Sequence, residues 1–192
     1  MKVRFLVLSI GVGAAAAACA DPLKTKATLA TIDDTAAVFA LTGAPESAPT
    51  AINITFPRAV IATPSENYDV VFDIRHDSAF AYPPHAISVS LTAGLQLATE
   101  PFDQITKAPT TGYNDTTPQF VKAGDVLLVQ STSAQCTTQG VQARRFIYAK
   151  IVIDSIFYDE ATAPHTPRTI WYRLRNDPNC GFISFLDGIP TS

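Results

Sequence analysis

The longest β-forming segment of the chain, Phe146 to Tyr158, constrains the fold more than any other feature. It reads Phe-Ile-Tyr-Ala-Lys-Ile-Val-Ile-Asp-Ser-Ile-Phe-Tyr, and a proline-containing loop from Asp159 to Pro167 follows it. A second β-forming run, Arg168 to Arg175, comes next. Because both runs are rich in β-branched and aromatic residues, we expect a long antiparallel hairpin. The side chains expected to face the core are Ile147, Ala149, Ile151 and Ile153.

Shorter runs separated by turn residues predict β structure along most of the chain. Tyr68 to Ile74 is rich in β-forming residues, Ala86 to Leu91 alternates apolar and polar side chains, and Val126 to Val129 follows a turn. Only Glu100 to Lys107 offers a helical turn, with Pro101 at its start. The pattern predicts an all-β fold, either a β-sandwich or an open barrel of about eight antiparallel strands, with one short helical turn.

The composition of the chain predicts how it is divided. Residues 19–35 are small, polar and rich in threonine, which is typical of a tether. The first strand is expected near Ala36. Residues 36–192 carry the predicted strands and are long enough to bury one sizeable core, so we expect a single β domain there.

The N-terminus has the features of an export signal. Lys2 and Arg4 precede an uncharged, mostly apolar run from Phe5 to Ala18. This run is shorter than the roughly 20 residues of a membrane-spanning helix, so a cleaved signal peptide is the better interpretation. Ala18-Cys19-Ala20 has the small-x-small pattern of ordinary secretory cleavage, which would remove residues 1–20 and release a secreted protein.

A second cleavage position precedes Cys19. Ala16-Ala17-Ala18-Cys19 resembles the lipobox of bacterial lipoproteins, although leucine is commoner where this chain has Ala16. The resemblance implies that residues 1–18 are removed and that Cys19 is lipidated. The protein would then lie in the bacterial cell envelope, on the periplasmic side of a membrane, held through the acyl chains on Cys19. We favour this interpretation over plain secretion.

Processing at either position explains the odd number of cysteines. Of the three, only Cys136 and Cys180 remain in the domain, and in an oxidising compartment they are expected to form one disulfide. No CxxC motif or second Cys/His pair accompanies either residue, so we expect no metal site there. The Asn-Cys-Gly-Phe segment at Cys180 resembles the C-terminal part of uncharacterised bacterial lipoproteins. That resemblance implies an exported, disulfide-bonded β domain and no known activity.

The charge balance excludes nucleic acid as a partner. The chain has 14 Lys and Arg against 17 Asp and Glu, a formal charge of −3. Removal of residues 1–18 takes away two positive charges, so the mature protein would carry −5. Direct electrostatic attraction to anionic lipid is therefore not expected.

Catalytic signatures are absent from the sequence. There is no G-x-S-x-G or S-x-x-K motif and no phosphate-binding loop. A metal site would require His76, Asp77 and His85 to converge, and a solvated strand end is the better interpretation of that cluster. We therefore expect a non-enzymatic protein without cofactors. A hydrolase with an unrecognised site, tested at His76 and His85, is the less favoured alternative.

Aromatic side chains are the best candidates for binding. They concentrate on the predicted hairpin and in the predicted loops, where an exposed stripe would dock a protein or a glycan. In the alternative, which we favour, Trp171 packs in the core and the tyrosines surround it. The candidate surface residues are Tyr82, Tyr113, Tyr148, Tyr158, Trp171 and Tyr172.

These observations predict an exported, lipid-anchored envelope protein that scaffolds or binds other proteins. Its expected partner is another envelope protein or a membrane complex, of which it could be an accessory subunit. The alternative function is a glycan-binding or small-molecule-binding module that uses the loop aromatics.

Overall fold

A computed structural model describes residues 26–132, 136, 146–158 and 168–190 of the chain. These residues form strands joined by turns and by two short 3₁₀ turns, Pro84–Ile87 and Phe102–Gln104. The strands are β1 (Ile32–Phe39), β2 (Ala51–Asn53), β3 (Arg58–Val60), β4 (Val70–Arg75), β5 (Ser78–Tyr82), β6 (Ala93–Leu97), β7 (Gln119–Val121), β8 (Val126–Thr132), β9 (Phe146–Phe157) and β10 (Thr169–Asp177).

The strands form two antiparallel sheets that pack as a β-sandwich. Sheet A has the order β1-β10-β9-β8-β6, and sheet B has the order β3-β2-β4-β5-β7. The all-β prediction is confirmed, and of the two predicted architectures the sandwich is the one observed. The predicted hairpin is confirmed as well, because the whole of β10 pairs antiparallel with β9, from Thr169 opposite Phe157 to Asp177 opposite Tyr148, with one bulge beside Trp171 and Tyr172.

The sandwich has two distinguishable ends. At one end, which we call the tether end, β1 begins at Ile32 opposite Asn176 of β10. At the other, the far end, Phe39 lies opposite Thr169, and Thr169 lies opposite Phe157 of β9. Sheet B runs along the same axis, since Asn176 contacts Ile54 at the tether end and Arg168 contacts Ile74 at the far end.

Three apolar clusters hold the fold together. The main core lies between the sheets and contains Ile147, Ala149, Ile151 and Ile153, which confirms the predicted core face of β9. The alternate side chains of β9, including Tyr148 and Val152, pack beneath Ile105 and Phe185 on the outer face of sheet A. A smaller cluster covers the outer face of sheet B around Tyr68, Val71 and Tyr82. Residues 147–153 of strand β9 are therefore buried on both faces of the sheet.

Three segments differ from their predicted form. Ser78–Tyr82, which lies outside the predicted strands, is strand β5, because a tight turn with His76 in the left-handed region (φ 51°) folds it back onto β4. The alternating run from Ala86 to Leu91 is not a strand. Pro84 starts a 3₁₀ turn that ends in Ser88 at φ 63°. Strand β1 begins at Ile32, inside the segment interpreted as a tether.

Candidate functional site

The two cysteines of the domain are joined. Cys136 and Cys180 form a disulfide with their Cα atoms 5.3 Å apart, which confirms the predicted pairing. Cys136 is buried in the main core, and Cys180 follows β10 at the tether end. The link therefore fixes the chain after β8 to the chain after β10.

Most of the predicted aromatic surface is not available for binding. Tyr82, Tyr148 and Tyr172 are buried, so they cannot belong to an exposed docking stripe. Tyr172 points into the main core, and burial raises the pKa of its hydroxyl, which donates to Asp34 Oδ2 at 3.4 Å. Tyr148 lies under the chain that covers sheet A, where its hydroxyl accepts a hydrogen bond from Gln130 Nε2 at 3.0 Å.

Tyr113 and Tyr158 are each half-buried. Tyr113 packs against the outer cluster of sheet A, with its ring 6.1 Å from that of Tyr148. Its hydroxyl oxygen is buried and has no hydrogen-bond partner among the described residues. Tyr158 packs against the main core at the end of β9. Burial raises the pKa of both phenols.

Trp171 is exposed, contrary to the preferred interpretation that it fills the core. It is 47% exposed on the outer face of sheet A, because residues 170, 172 and 174 of β10 take the core-facing positions. Phe157 is 53% exposed and Phe39 half-buried, and both lie on the same face one row farther along the strands. We call Phe39, Phe157 and Trp171 the Trp171 patch. It occupies the far end of sheet A.

A cleft of about 340 Å³ opens on sheet A around the buried Lys150. Lys150 Nζ donates to the carbonyl oxygens of Phe102 at 2.6 Å and Ile105 at 2.9 Å, and it lies 4.2 Å from the centre of the Phe102 ring. Burial, followed by the neighbouring positive charge of Arg175, lowers the pKa of this amine. Since two of its protons are committed to backbone carbonyls, Lys150 holds the 102–105 segment against β9.

A second cleft, of about 420 Å³, opens at the tether end over the buried carboxyl group of Asp69. The Asp69 Oδ2 atom accepts a hydrogen bond from Ile54 N at 2.6 Å, and Ser131 Oγ donates to Oδ1. Asn176 Nδ2 donates to Ile54 O at 2.6 Å. Because Ser131 and Asn176 belong to sheet A, this chain of hydrogen bonds joins the two sheets.

The electrostatics of the Asp69 cleft are dominated by desolvation. Burial raises the pKa of Asp69, and the hydrogen bonds from Ser131 and Ile54 oppose that effect only in part. At the rim, Arg58 and Glu66 form an ion pair at 3.6 Å. Hydroxyl, amide and aromatic groups supply much of the rest of the wall. They belong to Thr55, Phe56, Asn67, Tyr68, Thr92 and Thr132.

The histidine cluster forms no metal centre. Within the part of the chain that the structure describes, no three His, Cys, Asp or Glu side chains are placed to hold a metal ion. His76 sits in the β4–β5 turn, and His85 Nδ1 lies 3.4 Å from Asp115 Oδ2. None of the described ranges contains a helix long and apolar enough to cross a membrane. The predicted lipidation residue, Cys19, lies outside the described residues.

No family model matches the chain, and no curated protein matches it either.

Sequence reasoning missed the Asp69 cleft. Asp69 and Ser131 are 62 residues apart, and nothing in either local pattern links them. One signal was available, because Asp69 precedes a run of apolar residues whose strand is fully buried up to Ile74. A carboxylate at the start of a buried strand requires hydrogen-bond donors, and these are found on Ile54 and Ser131.

Proposed function

We propose that this protein is an exported, lipid-anchored envelope protein that binds another envelope protein or a membrane complex through the Trp171 patch. The single observation that carries the binding role is the exposure of Trp171 and Phe157 side by side on a sheet face where the chain covers Val126, Leu128, Tyr148 and Val152. The Cys136–Cys180 disulfide is compatible with an oxidising compartment.

The position of the Trp171 patch favours a macromolecular partner over a small ligand. Trp171 lies opposite Ala37 on one side and Ser155 on the other, so small side chains surround the indole and leave a flat surface. Arg173 and Asp154 form an ion pair at 3.0 Å next to the patch and give it a polar edge. An aromatic centre with a polar rim is typical of protein-binding hot spots.

Site-specific photo-cross-linking in the native membrane tests the proposal. A photoreactive amino acid replaces Trp171 in one strain and Phe120 in another. Phe120 is the matched control, because it is an equally exposed aromatic residue on sheet B. We expect one discrete envelope protein to be captured from position 171 and not from position 120. No adduct at position 171, or the same adducts at both positions, would contradict a partner on the Trp171 patch.

A second candidate function, binding of a glycan or another hydroxyl-rich neutral molecule, is favoured by the Asp69 cleft. Its wall offers hydroxyl and amide groups, and the Arg58–Glu66 pair at the rim balances its own charge. Phe56 stands 56% exposed beside the opening, where a sugar ring could stack on it. The volume of about 420 Å³ is in the range of small-molecule sites.

Thermal-shift measurements with oligosaccharides and soluble cell-wall fragments test this second function. A ligand of the native state at about 100 times its Kd should raise the Tm by roughly 5–10 °C. Phe56→Ala should abolish the shift, whereas Phe120→Ala should retain it, because Phe120 lies on β7 and does not line the cleft. Equal shifts in the two variants would place the ligand elsewhere.

A further inference from the structure

We propose that the tether end of the sandwich rests on the lipid bilayer through three exposed apolar side chains, Leu29, Leu186 and Ile189. We call these residues the tether-end patch. The inference rests on the proposed lipid anchor at Cys19 and adds to it a second, direct contact between the domain and the membrane.

Two distant parts of the chain build the tether-end patch. Thr31 N donates to Gly188 O at 3.2 Å, and Thr31 Oγ1 donates to Leu186 O at 3.1 Å. Leu29 precedes Thr31 by two residues, and Leu186 and Ile189 flank Gly188. The three apolar side chains therefore come from two adjoining segments at the same corner of the sandwich.

Asn179 fixes the first of these segments. Its Oδ1 atom accepts hydrogen bonds from Thr28 N at 2.9 Å and Leu29 N at 3.1 Å, and its Nδ2 group donates to Leu29 O at 2.8 Å. The Asp177 carboxylate orients this amide, because Asp177 Oδ1 accepts from Asn179 Nδ2 at 2.7 Å. The chain thus enters the domain along a defined path beside the disulfide residue Cys180.

The side chains of the tether-end patch project into solvent. Leu29, Leu186 and Ile189 are each more than half exposed. Exposure is unfavourable for such side chains, because the transfer of leucine or isoleucine out of water lowers the free energy. Asp187 lies between two of them, and its carboxylate pairs with Arg175 Nη1 at 2.8 Å. Arg175, which also pairs with Asp33, offsets part of the negative charge of these two carboxylates and so lowers the electrostatic cost of an approach to a headgroup region.

The length of the tether favours the lipid bilayer as the surface that contacts the tether-end patch. Six residues separate Cys19 from Lys26, where the described chain begins. Fully extended, they reach at most about 25 Å. Acyl chains on Cys19 would therefore keep Leu29 close to the membrane at all times. At such an effective concentration, three apolar side chains are sufficient to favour contact with the acyl region just below the headgroups.

Tryptophan fluorescence in vesicles tests the contact. The full-length protein is purified from membranes, its intact mass is measured, and it is reconstituted in phosphatidylcholine vesicles with or without brominated acyl chains. Ile189→Trp and Leu186→Trp are each made in a Trp171→Phe background. The wild type, whose only tryptophan is Trp171 at the far end, is the control. Because both replaced side chains are exposed, neither variant disturbs the core.

Bromine should lower the emission from position 189 or 186 about twofold, while the emission of Trp171 changes by less than about a tenth. An acylated Cys19 together with quenching no stronger than that of Trp171 would overturn the membrane contact and leave the lipid anchor intact. A mass that shows unmodified Cys19, or a chain that begins at Asp21, would overturn the anchor itself and this inference with it.

Discussion

The Asp69 carboxyl group links the stability of the protein to pH through a single residue. Burial raises its pKa above the ordinary value of 3.8, against the hydrogen bonds from Ser131 and Ile54. The folded protein therefore holds the proton more tightly than the unfolded chain does. The contribution of Asp69 to the free energy of unfolding is fully present below pH 3.8 and is lost as the pH rises through the folded-state pKa.

Asp69→Asn should raise the free energy of unfolding at pH 7. The asparagine oxygen can still accept from Ile54 N, and its amide can donate to Ser131 Oγ, so the bridge between the sheets is kept without a buried charge. The gain is about 1.4 kcal/mol for each unit by which burial raises the pKa, and it vanishes below pH 3.8. Urea unfolding of variant and wild type at a series of pH values measures it.

Asp33→Asn is the matched control, because the pKa of Asp33 is shifted the other way. Arg175 Nε and Nη2 each donate to this carboxylate at 2.6 Å, and the interaction lowers the pKa of Asp33. Its stabilising effect is present above the ordinary pKa and is lost as the pH falls. Asp33→Asn should therefore destabilise the protein at pH 7. If both variants lost stability at pH 7, the ionised carboxylate of Asp69 would stabilise the folded protein, which would contradict the prediction.

Among the elements, β9 depends most on its neighbours, because its residues 147–153 are covered on both faces. On the outer face of sheet A the cover is irregular chain rather than a third sheet. Lys150 pins that cover by donating to Phe102 O and Ile105 O. Farther along the cover, Ala108 N bonds to Ile183 O and Phe185 N to Thr106 O at 2.8 Å. Lys150 therefore anchors one part of this layer, and Arg175 Nη1 anchors another by donating to Phe185 O at 3.2 Å.

Lys150→Met should loosen this layer without unfolding the sandwich. The methionine keeps an apolar stem but leaves two carbonyl oxygens without their donor, at a cost of about 1–3 kcal/mol. Hydrogen exchange of the amides of residues 104–108 and 183–185 should become faster, while the core amides of β9 change only with global stability. Lys107→Met, at an exposed lysine in the same layer, should leave the exchange unchanged. Equal exchange in both variants would contradict the pinning role of Lys150.

An element can be predicted from the sequence when its local residue pattern matches the way in which it packs in the folded protein. The β9–β10 hairpin is recognisable because its long β-forming runs flank one loop. Strand β5 is not, because Ser78–Tyr82 lacks a β-branched residue and is recruited by pairing with β4. The alternation of Ala86 to Leu91 arises differently. Ile87, Val89 and Leu91 pack against the outer cluster of sheet B from a 3₁₀ turn and the irregular chain after it.

The candidate sites were less predictable than the fold. Trp171 and Tyr172 are neighbours with opposite environments, and only the register of β10 decides which of them faces the core. A shift of one residue would exchange them. The Asp69 cleft depends on contacts between residues of the two sheets that are far apart in the sequence, so no local sequence pattern predicts it. The disulfide was predictable because the processing expected at Cys19, by either cleavage, leaves only Cys136 and Cys180 free to pair in the domain.

The two ends of the whole molecule carry different features. The tether end carries the chain entry at Asn179, the disulfide and the hydrogen-bonded bridge from Asp69 to both sheets. The far end carries the Trp171 patch, and the eight residues of β1 place about 25 Å between the two ends. A protein held at the first end would present the second away from the membrane, where a partner can reach it.

The disulfide should stabilise the whole sandwich rather than one end. It joins residues 44 apart, and the loop that it closes contains β9 and β10, the two strands with the most extensive pairing in the structure. Closing a loop of that length restricts the unfolded chain by about 3–4 kcal/mol. The double variant Cys136→Ser, Cys180→Ser should lose that much free energy of unfolding, measured by urea denaturation followed by far-UV circular dichroism.

Reductant provides the control for that measurement. It should destabilise the wild type by the same amount and leave the double variant unchanged, since Cys136–Cys180 is the one bond that it removes from the domain. If the variant instead lost less than about 1 kcal/mol, the unfolded chain would already be compact enough that the cross-link scarcely restricts it. The main core between the sheets would then hold the tether end closed without the covalent bond, and export to an oxidising compartment would not be needed for folding.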